Sequence, residues 1–273
     1  MELRLTFREK SPTICWQKQL RDKFNLEGVP PVPHLEVNKA MVRKITNRQA
    51  AQIIKRYEWL GTMGAGVETS YGIFFGMFCA GVTTFSNGGA TPALAKTFGI
   101  PCKQLRYLTR GANTHWSPKY ANSKLIAMSL RLEAKHGKLA IAFSDSDAGE
   151  IGTVYQATNW IYIGKGTGWF QWVSAQGKIW SSNSFTKRAS TQNITTTELA
   201  TALIKEGWVK QKANPKGRYV YVLDRTDKRL IDKVEAMRQP YPKRGTGETD
   251  NAAHSHAQIE GASPIVPLLN HGS

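Results

Sequence analysis

The sequence predicts an α/β (α+β) chain folded around a central mixed β-sheet flanked by helices. Three observations carry this. Strand-like and helix-like segments alternate along most of the 273 residues, the pattern of layered α and β structure. The segment Leu139–Phe143 is apolar at every position, as a strand buried on both faces must be. The glycine fingerprint that would mark a series of dinucleotide-binding βαβ units is missing: Gly164-Lys165-Gly166-Thr167-Gly168 follows a strand but has the wrong spacing and reads better as a hairpin connection.

The elements follow in chain order. A short helix is predicted around Trp16–Phe24, then a Pro-rich extended arm through residues 28–35. Met41–Ile45 reads as a strand. Thr46 or Asn47 caps a helix over Arg48–Tyr57, where Ala51, Ile54 and Tyr57 share one face. Tyr71–Ser86 is a hairpin turning at Gly76-Met77, followed by a loop of small residues and a strand over Gln104–Leu108. Pro118 suits the first turn of a helix that runs to His136 and stops at Gly137. After the apolar strand come a short helix at Ile151–Ala157, a strand at Trp160–Ile163, and a hairpin of Trp169–Ser174 with Lys178–Ser182. A capped helix Thr197–Gly207, a basic turn Lys212–Lys216, a strand Arg218–Leu223 and a helix Asp227–Met237 complete the pattern. We divide the chain into an arm (1–38), a catalytic domain (39–244) and a tail (245–273) whose Gly, Ser, His and Pro content predicts disorder.

Charge narrows the function. The net charge is +17, and its distribution matters more than its size. Residues 1–60 carry 12 Lys and Arg against 6 acids, residues 61–204 carry 13 against 6, and residues 205–244 carry 12 against 5. The tail has no Lys or Arg. The folded body itself is therefore basic, which points to an acidic polymer as partner, and eight Trp and nine Tyr offer surfaces on which bases stack. Cys15, Cys79 and Cys102 are odd in number and scattered, which excludes a disulfide framework and a C-x-x-C metal site; Cys79 and Cys102 read as buried structural thiols. There is no span of apolar residues long enough for a bilayer and no signal sequence, so the expectation is a cytoplasmic protein without membrane contact. The oligomeric state stays open, a homodimer included.

The chemistry is expected in Leu108–Gly164. A strand opens into a polar loop and then a helix start, where free N–H groups and the helix dipole favour phosphate. Arg106, Arg110, Asn122, Ser123 and Lys124 would complement such a ligand; in the plainer reading the cations are capping or solvated charges. Asp145 and Asp147 end the apolar strand, where α/β sheets gather ligands, although acids there also cap turns. Tyr155 can act as general acid or stacking surface, with Asn159 beyond it, and His115 beside Trp116 is a candidate base or phosphate contact. No metal ligand set is expected.

Several ordered motifs carry a family resemblance. Tyr57-Glu58-Trp59-Leu60-Gly61, the hairpin ending Ala80-Gly81-Val82-Thr83-Thr84-Phe85, the run from Leu108 to Ile126, that from Ser144 to Gly164, and the ending Arg218–Leu223 with Pro240–Arg244 resemble the phage Mom family of DNA-modification proteins. The resemblance implies a GNAT-type acyltransferase fold that places a carbamoylmethyl group on the exocyclic amine of adenine in phage DNA, shielding it from host restriction in the host cytoplasm. On this reading Asp145, Tyr155 and Ser123 are the candidate catalytic groups, and Tyr57 and Trp59 wall a base pocket. His115, Trp116 and Asn159 contact double-stranded DNA together with Lys210, Lys212, Lys216 and Arg218, which cluster around one basic turn and the strand after it. The usual coenzyme A loop, Arg/Gln-x-x-Gly-x-Gly/Ala, is not matched by Arg110–Pro118. The donor is therefore acetyl-CoA or another activated acyl or aminoacyl group, with glycyl-tRNA an alternative that would make tRNA a second partner. The competing functions are a conventional N-acetyltransferase and a non-catalytic basic nucleic-acid-binding protein.

Overall fold

A computed structural model describes residues 16–24, 35–87, 92–146 and 149–243. Residues 28–34 of the Pro-rich arm, Cys15, Asp147 and the tail, for which disorder was expected, lie outside these residues. The chain divides into Met1–Tyr241 and a second unit, Pro242–Ser273, of which only Pro242 and Lys243 are described.

The helix α1 (Trp16–Phe24) precedes strand β1 (Met41–Ile45) and helix α2 (Asn47–Tyr57). Thr46 starts α2 through a capping box with Gln49, which satisfies two of the helix's orphan donors. The strands β2 (Val67–Phe75) and β3 (Phe78–Asn87) form the expected hairpin. Gly76 in its turn has φ +59, a left-handed conformation that costs glycine nothing. Next come α3 (Pro92–Phe98), β4 (Leu105–Asn113), α4 (Ala121–Glu133), β5 (Leu139–Ser144), α5 (Thr153–Gln156) and β6 (Ile161–Lys165). The chain then builds β7 (Phe170–Val173), β8 (Ile179–Ser181), α6 (Ser182–Thr191), α7 (Thr196–Lys205) and β9 (Val209–Lys212), before β10 (Gly217–Val222) and α8 (Lys228–Glu235).

Seven strands make the main sheet in the order β1-β2-β3-β4-β5-β10-β6. All its pairs are antiparallel except β4 with β5. β5 lies between β4 and β10, and its alternate residues serve two cores. Ala140 and Ala142 face the cluster of Leu125, Ile126 and Leu130 on α4, while Leu139 and Ile141 face Leu230 and Val234 of α8 with Phe98 of α3. Covering both faces explains why this strand is apolar throughout. On the β2–β4 half, α1 and α2 bury Leu20, Phe24, Ala50, Ile54 and Tyr57 against Val82 and Ala112.

A second sheet, β8-β7-β9, stands apart from the first. With α6 and α7 it encloses its own core of Trp172, Ala189, Leu199, Leu203 and Trp208. The sequence reading has one sheet only and misses three elements. It takes α3 for a loop, does not see α6, and assigns no strand at β9, just ahead of the basic turn Lys212–Lys216. Cys79 and Cys102 are free thiols, half-buried rather than sealed in the core.

Candidate functional site

The parallel pair β4–β5 is in register only over Leu105–Tyr107 with Leu139–Ile141, whereas β4 runs on to Asn113 and β5 to Ser144. A register shift between Thr84 and Phe85 leaves Thr109 as the extra residue of β4, a bulge of the kind that bends a strand and re-aims its side chains. Past Tyr107 the two parallel strands have no further shared register, and ionisable groups from five segments gather there. Tyr107 and Arg110 come from β4, Asp145 from the end of β5, Glu150 and Tyr155 from the segment after it, Lys216 from the approach to β10, and Glu58 from the end of α2. Arg110 and Glu150 both lie close enough to Glu58 to act on its charge, and Tyr107 and Glu150 act likewise on Tyr155.

Glu58 is the side chain that the sequence reading overlooks. The residue is only 9% exposed, and its Oε2 accepts the Gly61 N–H at 2.9 Å. Burial pushes its pKa from 4.5 up to about 7, more than Arg110 and the backbone donors of Gly61 and Leu60 pull it down. A signal was available: Glu58 directly follows the helix Asn47–Tyr57, and the negative end of a helix dipole is where an acid is least favoured. Tyr155 is held in its neutral form, its pKa raised first by burial and then by the charge of Glu150. Its ring lies 5.3 Å from that of Trp160 and 5.2 Å from that of Tyr219. Tyr219 in turn anchors the loop before α5, donating from Oη to the Ile151 carbonyl at 2.5 Å. Gly152 has φ +72, and a Cβ there would come within 2.5 Å of the Tyr219 ring, so this close approach demands glycine.

Asp145 reaches the same region, but Lys216 holds its carboxylate at 2.9 Å. Trp59 is half-buried next to Glu58. Arg110 is anchored by donating to the carbonyls of Thr62 and Thr109.

Other expected site residues are engaged elsewhere. Arg106 is 3% exposed and pairs with Glu133, itself 0% exposed, at 2.6 Å and also with Glu68; Tyr71 and Thr69 donate to the same Glu133 oxygen. It is a structural cation under α4, closed to a donor phosphate. Lys124 donates to the carbonyls of Val37 and Asn38 at 2.7 and 2.9 Å, which secures a single 3-10 turn before β1. Tyr57 and His115 are buried together, rings 5.9 Å apart, with Phe24 of α1 packed on both; they form core beneath the site and do not wall a pocket. Trp116 packs edge-on to Phe75. Asn159 has φ +60 and ends the turn before β6, a place where asparagine tolerates the left-handed conformation. Arg218 donates to the Ile163 and Gly164 carbonyls, and Lys216 is taken by Asp145. Lys210 and Lys212 are exposed on β9, and Asn122 and Ser123 are half-exposed on the first turn of α4.

The expected phosphate cradle at the β4–α4 loop is not assembled. Instead α1 lies against the loop: Gln17 donates to the Thr114 carbonyl at 2.6 Å and Arg21 to the Ser117 carbonyl at 2.7 Å. With Arg106 and Lys124 engaged as well, the residues expected to hold a donor's phosphates do not fit that task together. A depression of about 450 Å³ lies at the opposite end of β5, lined by Lys135, Lys138 and Arg225 among others. There Lys138 is neutralised by Asp224 and Asp227. Among the described residues no group of three or more His, Cys, Asp or Glu is placed to hold a metal ion, and no helix is long and apolar enough to cross a membrane.

The sequence model of the Mom protein family matches residues 39–243, a span that holds every group of the β4–β5 site. The chain belongs to the Mom protein family. A search of curated proteins gives no match. Among solved structures, an N-acyl amino acid synthase from uncultured soil microbes is similar at 15% identity and a TM-score of 0.40, covering 71% of this chain and 97% of its own. A ribosomal-protein-S5-alanine acetyltransferase from Vibrio fischeri gives 8% and 0.39, covering 68% and 94%. An N-acetyltransferase from Staphylococcus aureus Mu50 gives 10% and 0.35, covering 67% and 97%.

Proposed function

We propose that this Mom-family protein is a DNA-modifying transferase that places a carbamoylmethyl group on the exocyclic amine of adenine, and that Glu58 is its general base. The observation that carries the reading is the buried Glu58 carboxyl, with a pKa near 7, in a cluster where Glu150 acts on both Glu58 and the protonated Tyr155. The adenine amine is a weak nucleophile because its lone pair is delocalised into the ring. A base whose pKa lies near the working pH takes a proton from such a group most effectively. The nitrogen–carbon bond forms as the bond from that carbon to the donor oxygen or sulfur breaks. Glu58 accepts the amine proton, and Tyr155, neutral at that pH, donates one to the departing oxygen or sulfur. With a glycyl donor this step gives the glycyl amide, and the carbamoylmethyl group is its isomer, reached by a subsequent rearrangement. Arg110 stabilises the negative charge that develops between them. Trp59 offers a ring against which the adenine rests after it has been turned out of the duplex. Modification of this kind would protect phage DNA from host restriction.

The donor is an activated acyl or aminoacyl group. A glycyl ester contains every atom of the carbamoylmethyl group, and simple glycyl transfer would give its isomer with the amine on the other carbon. The test is therefore mass spectrometry with fragmentation on nucleosides from the DNA of bacteria expressing the protein. A carbamoylmethyl deoxyadenosine supports the reading in full, and the glycyl isomer would correct the connectivity. Unmodified deoxyadenosine from well-expressed, soluble protein would end it. A non-catalytic coating protein has no use for a carboxyl buried at a net cost, which favours the enzymatic reading over that alternative.

A further inference from the structure

β6 and β10 are neighbours in the main sheet, paired at Lys165 and Gly217. The chain between them leaves the sheet and returns, having built β7, β8, α6, α7 and β9 around a core of their own. The main sheet is complete without this excursion. Its root stands at the candidate site, since Lys216 binds Asp145 at 2.9 Å and Gly217 pairs with Ser144 at the end of β5. The two stems of the root touch backbone to backbone. Ala213 N–H donates to the Trp169 carbonyl at 2.6 Å, and a Cβ on Gly168 would collide with the Ala213 carbonyl oxygen.

Just beyond this neck, the surface departs from an ordinary solvated one. Trp169 is 74% exposed and Phe170 56%. Phe170 points to the same side of β7 as the buried Trp172, at the end nearer the neck. Lys212 pairs opposite Phe170 in register, and the Lys210 ammonium lies 4.7 Å from its ring centre. From Lys165 to Lys216 the chain has eight Lys and Arg against two acids, Glu198 and Glu206. Glu198 is occupied in capping α7, accepting from Thr195 N–H and Oγ1 at 2.7 and 2.8 Å. Single exposed apolar residues need no explanation. Two consecutive exposed aromatic residues, one of them flanked by two lysines, next to a site where a base must be unstacked, supply the pairing by which proteins hold nucleic acid: cations on phosphate, rings on base faces.

We propose that this excursion is a DNA-holding arm. Lys210 and Lys212 take backbone phosphates of the substrate duplex, and Trp169 with Phe170 covers the bases exposed when the target adenine leaves the stack. The assignment rests on the reading of the substrate as DNA and is tested by binding alone, so the two can fail separately. The probe is a fluorescein-labelled duplex with one mismatched adenine, followed by anisotropy over a range of salt concentrations. Lys210→Ala combined with Lys212→Ala should weaken binding roughly tenfold or more and flatten the log–log salt slope by about 2, close to 0.9 for each phosphate left without its lysine. Trp169→Ala should weaken binding by about five- to a hundredfold with the slope unchanged, as removal of a stacking surface requires. Lys135→Ala with Arg225→Ala, the same reduction of charge at the far end of β5, should have a smaller effect than the β9 pair. All four side chains of the arm are at the surface, and thermal melts check that the variants fold. Wild-type affinity in both arm variants, or an equal effect from the distant pair, would overturn the proposal. So would weakened binding of bulk tRNA with unchanged DNA binding, which would give the arm to the donor. Unmodified adenine in cells expressing wild-type protein would remove the proposed reaction and leave these binding results standing.

Discussion

Glu58→Gln should make the protein more stable and less active at once. The mutation keeps an oxygen to accept the Gly61 N–H and removes the charge. In the folded protein the Glu58 carboxyl titrates at about 7 in place of 4.5, so above both values the fold carries the cost of a buried carboxylate. At about 1.4 kcal/mol per pH unit that cost is roughly 3 kcal/mol at pH 8. The sign follows from proton binding. Below 4.5 the carboxyl is neutral in both states and costs nothing; as pH rises from 4.5 through 7 the unfolded chain ionises first, and stability is progressively lost. Urea unfolding of both proteins should therefore give a gain for Glu58→Gln of about 3 kcal/mol at pH 8 that shrinks to about 1 kcal/mol at pH 5. Over the same range wild-type modification should fall on the acid side of pH 7 with the slope of one proton, and Glu58→Gln should lose roughly 10²- to 10⁴-fold, the usual contribution of a general base. A stability gain independent of pH would show that Glu58 does not titrate where its burial places it. A variant with wild-type modification would remove it from the reaction.

Tyr155→Phe should lose modification by at least about 100-fold while DNA affinity and melting temperature stay as in wild type; equal activity would assign the proton donation to another group. Arg106→Met should destabilise the fold by about 3–5 kcal/mol, because it strands the buried Glu133 carboxylate, and urea titration reads this directly. At subsaturating donor the same variant should leave the donor's apparent affinity unchanged, whereas a rise would return Arg106 to the donor site. Gly152→Ala should cost about 1–3 kcal/mol, since alanine is strained at φ +72, and should reduce modification by moving Tyr155; an unaffected variant would show that the Tyr219 contact does not position the loop.

The parts of the fold that could be read from the sequence are those whose cause is local. Thr46 caps α2 through the third residue on, Gly76 turns the β2–β3 hairpin, and the apolar run in β5 declares burial on both faces without reference to any other segment. The missed elements depend on partners far along the chain. α6 is rich in Ser and Thr, with weak helical preference, and it holds because Phe185 stacks on Trp172 and Ala189 is buried beside Leu199 and Trp208. β9 is a short run of Val, Lys and Gln ahead of the basic turn Lys212–Lys216, exposed at every position, and it becomes a strand only because β7 supplies its hydrogen bonds.

The same distinction governs the site. Arg106 and Arg110 stand four residues apart on one strand and look alike in the sequence. Their fates are decided by Glu68 and Glu133, which lie 38 and 27 residues from Arg106 in the chain, and by the bulge at Thr109 that separates the two arginines in register. A charge count registers both as cations available to phosphate, yet a cation already neutralised by a buried carboxylate contributes nothing to phosphate affinity. Glu58 errs in the opposite direction. In a chain with 37 basic and 20 acidic residues an acid is expected to find a cation, as Asp145 does with Lys216. An acid that instead stays buried at the end of a helix, with its pKa raised against the pull of Arg110, is maintained at a cost to the fold, and perturbed groups of that kind collect where chemistry is done.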